Sequence, residues 1–435
     1  MSVRITAALQ SVIARKGVLF PINHLVLAPL AIWLVLQIAM PDGVGNKRNL
    51  AVRLLALGCV AIFGYLSLVL GRRGNARLLP CFVATCIAGE IAMRAMGSFG
   101  TGSDLEWREP RPYFMFGGPT DRRIRRQMRL NDEGFRIEGE VAVPKPADEI
   151  RIFVMGGSTV LALDGSLAQS IPGVMERELR AGGLPRARVY NFGVTSFVSG
   201  QELALLVHRL ADLQPDLVIA YDGGNDLFQP WFYDPRPGYP FNFVAWEQAI
   251  GTLSNMGARS KTVASLAQDS VLLQALVGTT EWSIRNGLED LRRRVGLASA
   301  PWRQAVVQSY ARNIAAMCRT AQANGALFAA FFQPMLPYSQ SLDRRQLETS
   351  GGEQMIAGLR EQRGQVPAAV AARLAAVHAD AGCRFGDLSD SFENAPNTFV
   401  DIIHIDSRAN ALIAGRIARE LLDWDALRSG AGSRQ

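Results

Sequence analysis

The fold of this chain is decided by the stretch IRIFVMGGST, residues 150–159. Its apolar part, Ile150–Met155, ends at a pair of glycines, as expected for a buried parallel strand that runs into a tight turn. Two later apolar runs, Val189–Phe192 and Leu217–Tyr221, have the same character and are also followed closely by glycine. We therefore predict three strands, and Ser158 lies just beyond the end of the first.

Helical segments alternate with these strands. The predicted helices are Ile171–Ala181, Gly200–Leu213, Gln304–Ala323, Ala368–Ala379 and Ala409–Leu422, and two more strands are predicted at Ala326–Phe332 and Arg384–Gly386. Such alternation is typical of a parallel sheet covered by helices on both faces, the α/β class. Ligands of these sheets bind beyond the carboxyl ends of the strands. Ser158, Gly193 and Asn225 each follow a predicted strand, so we expect them at one edge of the sheet.

Short blocks far apart in the chain carry the residue types of a serine hydrolase. They are Gly156–Thr159, Asn191–Gly193, Gly223–Asp226 and Asp401–His404. Their order, Ser, Gly, Asn and Asp-x-x-His, resembles that of the SGNH (GDSL-like) hydrolase superfamily. The resemblance covers about Asp148–Leu422, and the upstream stretch Asn131–Arg136 is similar to one found in membrane-anchored bacterial members. It implies a flavodoxin-like, three-layer α/β/α fold and acyl chemistry that uses no cofactor.

The resemblance assigns roles to individual side chains. Ser158 is the expected nucleophile, and because a free serine hydroxyl is weakly nucleophilic it needs an adjacent base. His404 is the expected base, since it follows Asp401 at the family's spacing, and the carboxylate would hold its imidazole in the required tautomer. Asp406 is an alternative partner for the histidine. The family's usual aspartate before the serine is replaced here by Gly157.

The expected oxyanion hole combines the backbone N–H groups of Ser158 and Gly193 with the side-chain amide of Asn225. Preorganised donors of this kind stabilise the negative charge that develops in acyl transfer. The chain has no Gly-x-Ser-x-Gly elbow, zinc-protease motif, phosphate loop or dinucleotide fingerprint. We therefore expect neither a metal nor a cofactor.

An aromatic-rich segment, 228–248, follows Asn225 closely. It opens a long insertion, about 228–297, and two interpretations of it stay open. The aromatic residues either line a substrate rim or pack the insertion against the core. The candidates for the rim are Trp231, Tyr233, Tyr239 and Phe241, together with Gln333 after the fourth strand.

The charge of the chain is unevenly distributed. Residues 1–129 hold 17 Lys and Arg against 6 Asp and Glu, whereas the remainder holds 29 against 33. The mild negative charge of the predicted catalytic part argues against a nucleic-acid partner. In membrane proteins, basic loops set the orientation of the chain in the bilayer, and the basic N-terminal part fits that pattern. The expected organisation is a membrane region (1–95), a linker or small subdomain (96–146), the SGNH-like domain (147–425) and a tail (426–435).

Three apolar runs are candidate membrane spans: Phe20–Met40, Leu54–Leu70 and Leu78–Met93. The third run contains Glu90, which makes it the weakest of the three candidate spans. Glu90 is either a residue at the membrane interface or a contact to a membrane partner. Three spans would place the catalytic domain in the periplasm of a bacterium, anchored to the inner membrane, whereas two would keep both termini on one side. Cys318 and Cys383 could pair if their domain lies outside the cytoplasm, and the sequence alone does not decide this.

Three functions are compatible with these features. The first is a membrane-anchored esterase that removes acyl groups, with acetyl expected, from an envelope or exported glycan. Another acyl ester is an alternative substrate. The second is an O-acyltransferase that works with a membrane acyl-donor protein, such as a membrane-bound acyltransferase. The third is a non-catalytic SGNH-type subunit of a membrane complex.

Overall fold

The computed structural model describes residues 11–39, 47–95, 108–163, 165–244, 246–247, 281–349, 351–377 and 382–427. The chain divides into two compact units. Unit 1 comprises Met1–Leu105 and Glu247–Asn286, and unit 2 comprises Glu106–Trp246 and Gly287–Gln435. The part of the expected linker that is described, 108–146, belongs to unit 2, whereas 248–280 of the insertion and 428–435 of the tail lie outside the described residues.

Unit 1 contains the long helices α1 (Leu19–Ala39), α2 (Lys47–Val69) and α3 (Arg72–Ala95). They coincide with the three apolar runs of the sequence. Of the described helices, one has a segment long and apolar enough to cross a membrane, Arg72–Ala92 in α3. Shorter apolar stretches are present in the other two, at Phe20–Ile32 and Arg53–Val69. The third run, ranked weakest from the sequence because of its glutamate, is thus the one that meets this criterion.

The three helices bury polar side chains and expose apolar ones. Asn23, Ser67 and Asn75 are at most 2% exposed. The Asn75 carboxamide oxygen accepts hydrogen bonds from Ser67 Oγ (2.7 Å) and Asn23 Nδ2 (3.2 Å). Large aliphatic residues point outward instead, with 55–77% of their surface exposed: Leu25, Ile32, Leu55, Ile62, Ile87 and Ile91.

Unit 2 begins with an antiparallel pair, β1 (Glu109–Arg111) and β2 (Met115–Gly117). A five-stranded sheet follows, in which every neighbouring pair is parallel. Its strands are β3 (Ile150–Gly156), β4 (Ala187–Gly193), β5 (Leu217–Asp222), β6 (Leu327–Phe332) and β7 (Cys383–Asp387). The spatial order β4-β3-β5-β6-β7 is that of flavodoxin-like folds, which confirms the expected fold.

Helices cover both faces of this sheet. The described helices that follow α3 are α4 (Arg122–Met128), α5 (Ser158–Leu161), α6 (Ile171–Ala181), α7 (Ser199–Leu205), α8 (Gly224–Phe232), α9 (Glu281–Val295), α10 (Ala300–Ala323), α11 (Arg344–Thr349), α12 (Glu353–Ala376) and α13 (Ser407–Leu422). The first residues of α9 belong to unit 1. Alternate side chains of a strand face opposite sides. Ile152 and Val154 therefore pack with α6 and α13, whereas Phe153 and Met155 pack with α7, α10 and α12.

The strands begin and end within about two residues of the sequence prediction, but two helices differ. The segment Gly200–Leu213, predicted as one helix, is α7 followed by a π-helical turn, Leu206–Leu210, and a short 3₁₀ turn. The helix predicted at Ala368–Ala379 is α12, which begins at Glu353 instead. Pro367, a residue type favoured in the first turn of a helix, lies inside α12.

A disulfide joins Cys318 on α10 to Cys383 on β7, across 65 positions of sequence. It connects the helical layer to the edge strand, and Cys318 is fully buried. The pairing that the sequence left open is therefore present. Cys59, Cys81 and Cys86 in unit 1 are free thiols.

Candidate active site

Ser158 and His404 meet at the carboxyl end of the sheet. Ser158 is the first residue of α5, directly after β3 and Gly157, and His404 lies just before α13. The imidazole Nε2 is 2.7 Å from the serine Oγ, which is hydrogen-bond distance. A base is thus positioned to accept the hydroxyl proton.

Asp401 orients the histidine. Its Oδ2 is 2.6 Å from His404 Nδ1, and its Oδ1 accepts hydrogen bonds from the backbone N–H groups of Ile403 (2.9 Å) and His404 (2.8 Å). Burial raises the pKa of Asp401, but the hydrogen bonds and charge of His404 and the backbone N–H donors outweigh burial, so the pKa lies below its ordinary value. The carboxylate stays ionised and holds the proton of the imidazole on Nδ1.

Asp406, the alternative partner, has a different role. It is the N-cap of α13, and its Oδ1 accepts a hydrogen bond from the backbone N–H of Ala409 (2.8 Å). Capping of this kind satisfies a helix N–H that has no partner within the helix. The geometry therefore selects Asp401 as the partner of the histidine.

Asn225 lies beside the nucleophile turn. Its Nδ2 donates to the carbonyl oxygen of Phe197 at 2.7 Å, and a Cβ on Gly157 would approach that nitrogen to 2.5 Å. An aspartate at position 157 would therefore displace the amide.

Sheet order and site geometry now agree. Ser158 follows β3, Asn225 follows β5, and the Asp401–His404 pair precedes the last helix, all at one edge of a flavodoxin-like sheet. The fold that the resemblance to the SGNH superfamily implies is therefore the one observed, and the site geometry agrees with it.

No protein-family model and no curated protein matches the chain. Among solved structures, the acetyl xylan esterase AlAXEase is similar, with 12% identity and a TM-score of 0.36 over 62% of this chain and 100% of that one. TesA has 17% identity and a TM-score of 0.32 over 62% of this chain and 99% of its own. The acetylxylan esterase Axe2 from Geobacillus stearothermophilus has 11% identity and a TM-score of 0.37 over 64% and 96%.

The third expected oxyanion donor, the backbone N–H of Gly193, already has a partner within the protein. The backbone N–H of Gly193 donates to Asn191 Oδ1 at 2.9 Å, so the expectation that it faces the substrate is wrong. Close packing accounts for the glycine instead, because a Cβ at this position would lie 2.3 Å from the backbone nitrogen of Leu161 in α5. Ser158 and Asn225 remain as candidate donors.

The aromatic segment is largely a packing element. Trp231 (9% exposed) stacks edge-on against Trp302, and Phe241 (7%) packs against Tyr233 at 4.4 Å between ring centroids. Trp231 and Phe241 therefore do not line a rim, because core contacts cover them, and Tyr233 is partly buried beside them. Tyr239 is 38% exposed, with the guanidinium of Arg236 over its ring, and of the four aromatic candidates it is the most accessible.

Gln333 lies under the site rather than at its rim. It is 3% exposed, and its Oε1 accepts a hydrogen bond from Thr159 Oγ1 at 3.3 Å. Its Nε2 packs so closely on Gly224 that a Cβ there would be 2.4 Å away. Gln333 thus connects the residue after the nucleophile to the turn that carries Asn225.

The stretch Asn131–Arg136, which had no assigned role, supports the loop that follows Ser158. The buried guanidinium of Arg136 donates to the carbonyl oxygens of Leu161 (3.1 Å) and Gly165 (2.6 Å), at the end of α5 and just beyond it. Phe135 packs edge-on against Phe192 of β4. Among the described residues, no group of three or more His, Cys, Asp or Glu side chains is placed to hold a metal ion.

Proposed function

We propose that this protein is a serine esterase that removes acyl groups, with acetyl as the expected group, from an envelope or exported glycan. The observation that carries the proposal is the continuous chain of hydrogen-bonding distances from Ser158 through His404 to Asp401. A nucleophile, a base and an orienting carboxylate in this geometry are the components of acyl transfer by a serine side chain.

The geometry accounts for each step of the reaction. Ser158 Oγ attacks the ester carbonyl while His404 Nε2 takes its proton, and Asp401 stabilises the imidazolium that results. The imidazolium then gives the proton to the leaving sugar oxygen, which leaves an acyl group on Ser158. Water, deprotonated by His404, attacks this acyl-serine and releases the carboxylic acid.

The oxyanion formed in both steps needs donors. We assign this role to the backbone N–H of Ser158 and to the second N–H of the Asn225 amide, whose other N–H is held by Phe197. A donor fixed in advance stabilises the developing charge without reorganisation at the moment of reaction. The contacts of Asn225 with Phe197 and Gly157 supply that rigidity.

Release of acetate from acetylated xylan is the first test. We expect the wild-type protein to release acetate and the Ser158→Ala variant to release none above background, measured with an enzyme-coupled acetate assay. Mass spectrometry of an added unacetylated oligosaccharide would detect transfer of acetyl to sugar in place of water, which would favour the acyltransferase. Neither release nor transfer by a folded sample would contradict both activities and favour a non-catalytic subunit.

We further propose that unit 1 anchors the protein in a lipid bilayer. Its helices bury Asn23, Ser67 and Asn75 and expose large aliphatic side chains, the reverse of the pattern of soluble bundles. In lipid, polar side chains pair between helices and apolar ones face the acyl chains. We expect the protein to stay in the membrane pellet after alkaline carbonate washing, and its release into the wash would contradict the proposal.

We also propose that unit 2 lies in the periplasm. The Cys318–Cys383 disulfide supports it, because disulfides persist in oxidising compartments. Exposed arginines such as Arg122, Arg123 and Arg344 make unit 2 a substrate for trypsin. Trypsin added to intact spheroplasts should cleave it, and cleavage seen only after lysis would place unit 2 in the cytoplasm.

A further inference from the structure

Three acidic side chains are buried together behind Asn225. Glu202 on α7 is 0% exposed, and Asp222 at the end of β5 and Asp226 on α8 are each 3% exposed. None of the three contacts the Ser158–His404–Asp401 chain in the described structure, and the reaction set out above does not use them. Buried carboxyl groups without a basic partner require a separate physical explanation.

Two of the three have partial hydrogen-bond partners. Asp226 accepts hydrogen bonds from the backbone N–H (3.0 Å) and the hydroxyl of Ser199. Asp222 Oδ1 accepts one from the Tyr310 hydroxyl at 2.7 Å. Ser199 thus satisfies both carboxyl oxygens of Asp226, although burial still raises the pKa of Asp226 to about 6. Asp222 is satisfied on one oxygen only.

Glu202 has no donor of this kind. Within the described structure, neither of its carboxyl oxygens has a hydrogen-bond partner, and the same holds for Asp222 Oδ2. The side chains of Glu202 and Asp222 nevertheless lie close enough to form a hydrogen bond once one of them carries a proton. Two carboxylates cannot bond without a proton, but one proton placed between them joins one oxygen of Glu202 to Asp222 Oδ2.

The surroundings favour that proton. The charged groups that act on Glu202 are Asp222 and Asp226, and the nearby Tyr310 is neutral, so ionisation of Glu202 would add a further negative charge to an acidic interior. Burial followed by the repulsion of Asp222 and Asp226 raises the pKa of Glu202 well above its ordinary range. Burial and the repulsion of Asp226 raise the pKa of Asp222 to about 7.

The three acids lie between two segments that contact each other. The segment Asp222–Gln229, which carries Asn225, packs against the segment Ser196–Glu202. Its contacts pair Asp222 with Glu202, Asn225 with the Phe197 carbonyl, Asp226 with Ser199, and Gln229 with the Ser196 carbonyl (2.9 Å). The Asp222–Glu202 contact lies at the end of this interface nearest the sheet. Gly223 and Gly224 separate Asp222 from Asn225.

We propose that Glu202 and Asp222 share a proton and that this acid pair positions the turn carrying the oxyanion donor Asn225. The second half of the proposal rests on the proposed esterase function. Loss of the proton would leave two adjacent buried charges, and their repulsion would separate α7 from the end of β5. Glu202 is thus a positioning residue that acts on the substrate through Asn225.

The shared proton can be tested without any catalytic readout. The infrared spectrum of the wild-type protein at pH 7 should contain the band of a protonated carboxylic acid, and the difference against Glu202→Gln should show its loss. The matched control is Glu348→Gln, which removes an exposed carboxylate on α11. A wild-type spectrum identical to that of Glu202→Gln in this region would overturn the shared proton.

Thermal melting gives a second test. A native pKa above the unfolded value means that the native protein binds more protons, so stability falls as pH rises from the ordinary values, 4.5 for Glu202 and 3.8 for Asp222, through the native value of about 7 for Asp222. Asp226, whose pKa burial raises to about 6, adds to the same fall in the wild type and in the variants. We expect the melting temperature to fall over this interval in the wild type and in Glu348→Gln. In Glu202→Gln the fall should be smaller, because the amide donates to Asp222 at every pH, and equal slopes would contradict the proposal.

Kinetics test the positioning role. Glu202→Ala should lower kcat for an activated acetyl ester by about tenfold, less than the 10²–10³-fold typical for loss of a whole donor, with KM changed less than about twofold. Glu202→Gln should restore kcat and keep it at alkaline pH, where the wild type declines. If Glu202→Ala kept the kcat of the wild type, the positioning role of Glu202 would be wrong. If the wild type itself were inactive, the proposed esterase function would be wrong, while the infrared and melting tests of the shared proton would still apply.

Discussion

Replacement of Ser158 by alanine is expected to lower turnover of an activated acetyl ester by about 10⁶-fold, and His404→Ala to do the same. The two side chains act as one unit, since the serine oxygen becomes nucleophilic only as Nε2, 2.7 Å away, removes its proton. The double variant should therefore be no slower than either single one. Initial rates with p-nitrophenyl acetate measure all three.

Labelling by a fluorophosphonate probe gives an independent readout. The wild type should be labelled on Ser158, and both alanine variants should lose the label while keeping the wild-type melting temperature. Suitable controls are Ser166→Ala, in the loop after α5, and His208→Ala, whose ring stacks on Tyr113 at 3.9 Å between centroids. Label that persists in Ser158→Ala would locate the nucleophile elsewhere and contradict the assigned site.

Asp401→Asn is expected to lower kcat by about 10⁴-fold, while the variant stays folded. The backbone N–H groups of Ile403 and His404 fix one side-chain oxygen, so the amide nitrogen of the variant would face Nδ1. A donor there would favour the imidazole tautomer protonated on Nε2, which cannot accept the serine proton. Steady-state kinetics at pH 8 measure this effect.

Asp406→Asn is the matched control for that variant. It makes the same chemical change five positions along the same loop, and asparagine caps a helix as well as aspartate does. Its kcat should stay within about twofold of the wild type. Equal losses in the two variants would show that the loop, rather than the carboxylate of Asp401, determines activity.

The sequence predicted the α/β fold and the meeting of Ser158, Asn225 and Asp401–His404 because these features have local signatures. A buried parallel strand is a short apolar run, and the residues that bind ligands follow it directly. Parallel strands then place their carboxyl ends at one edge, so positions 246 residues apart in sequence become neighbours.

Other features depend on contacts that no local pattern records. The bond of Arg136 to the Leu161 carbonyl joins positions 25 apart, and the burial of Trp231 depends on Trp302 from a distant helix. The error at Gly193 has a different origin. The Gly193 N–H donates to the side chain of Asn191, two residues earlier, and asparagine commonly makes such contacts with the backbone. The asparagine at position 191 could therefore have indicated that this N–H is not free to bind substrate.

The distance along the chain between nucleophile and base has a consequence for biosynthesis. Ser158 emerges from the ribosome 246 residues before His404. A nascent or truncated chain that carries every strand of the sheet but lacks the residues after β7 has a serine with no base to activate it. Under the proposed esterase function, hydrolytic activity would therefore begin only after the segment that carries Asp401 and His404 has been synthesised.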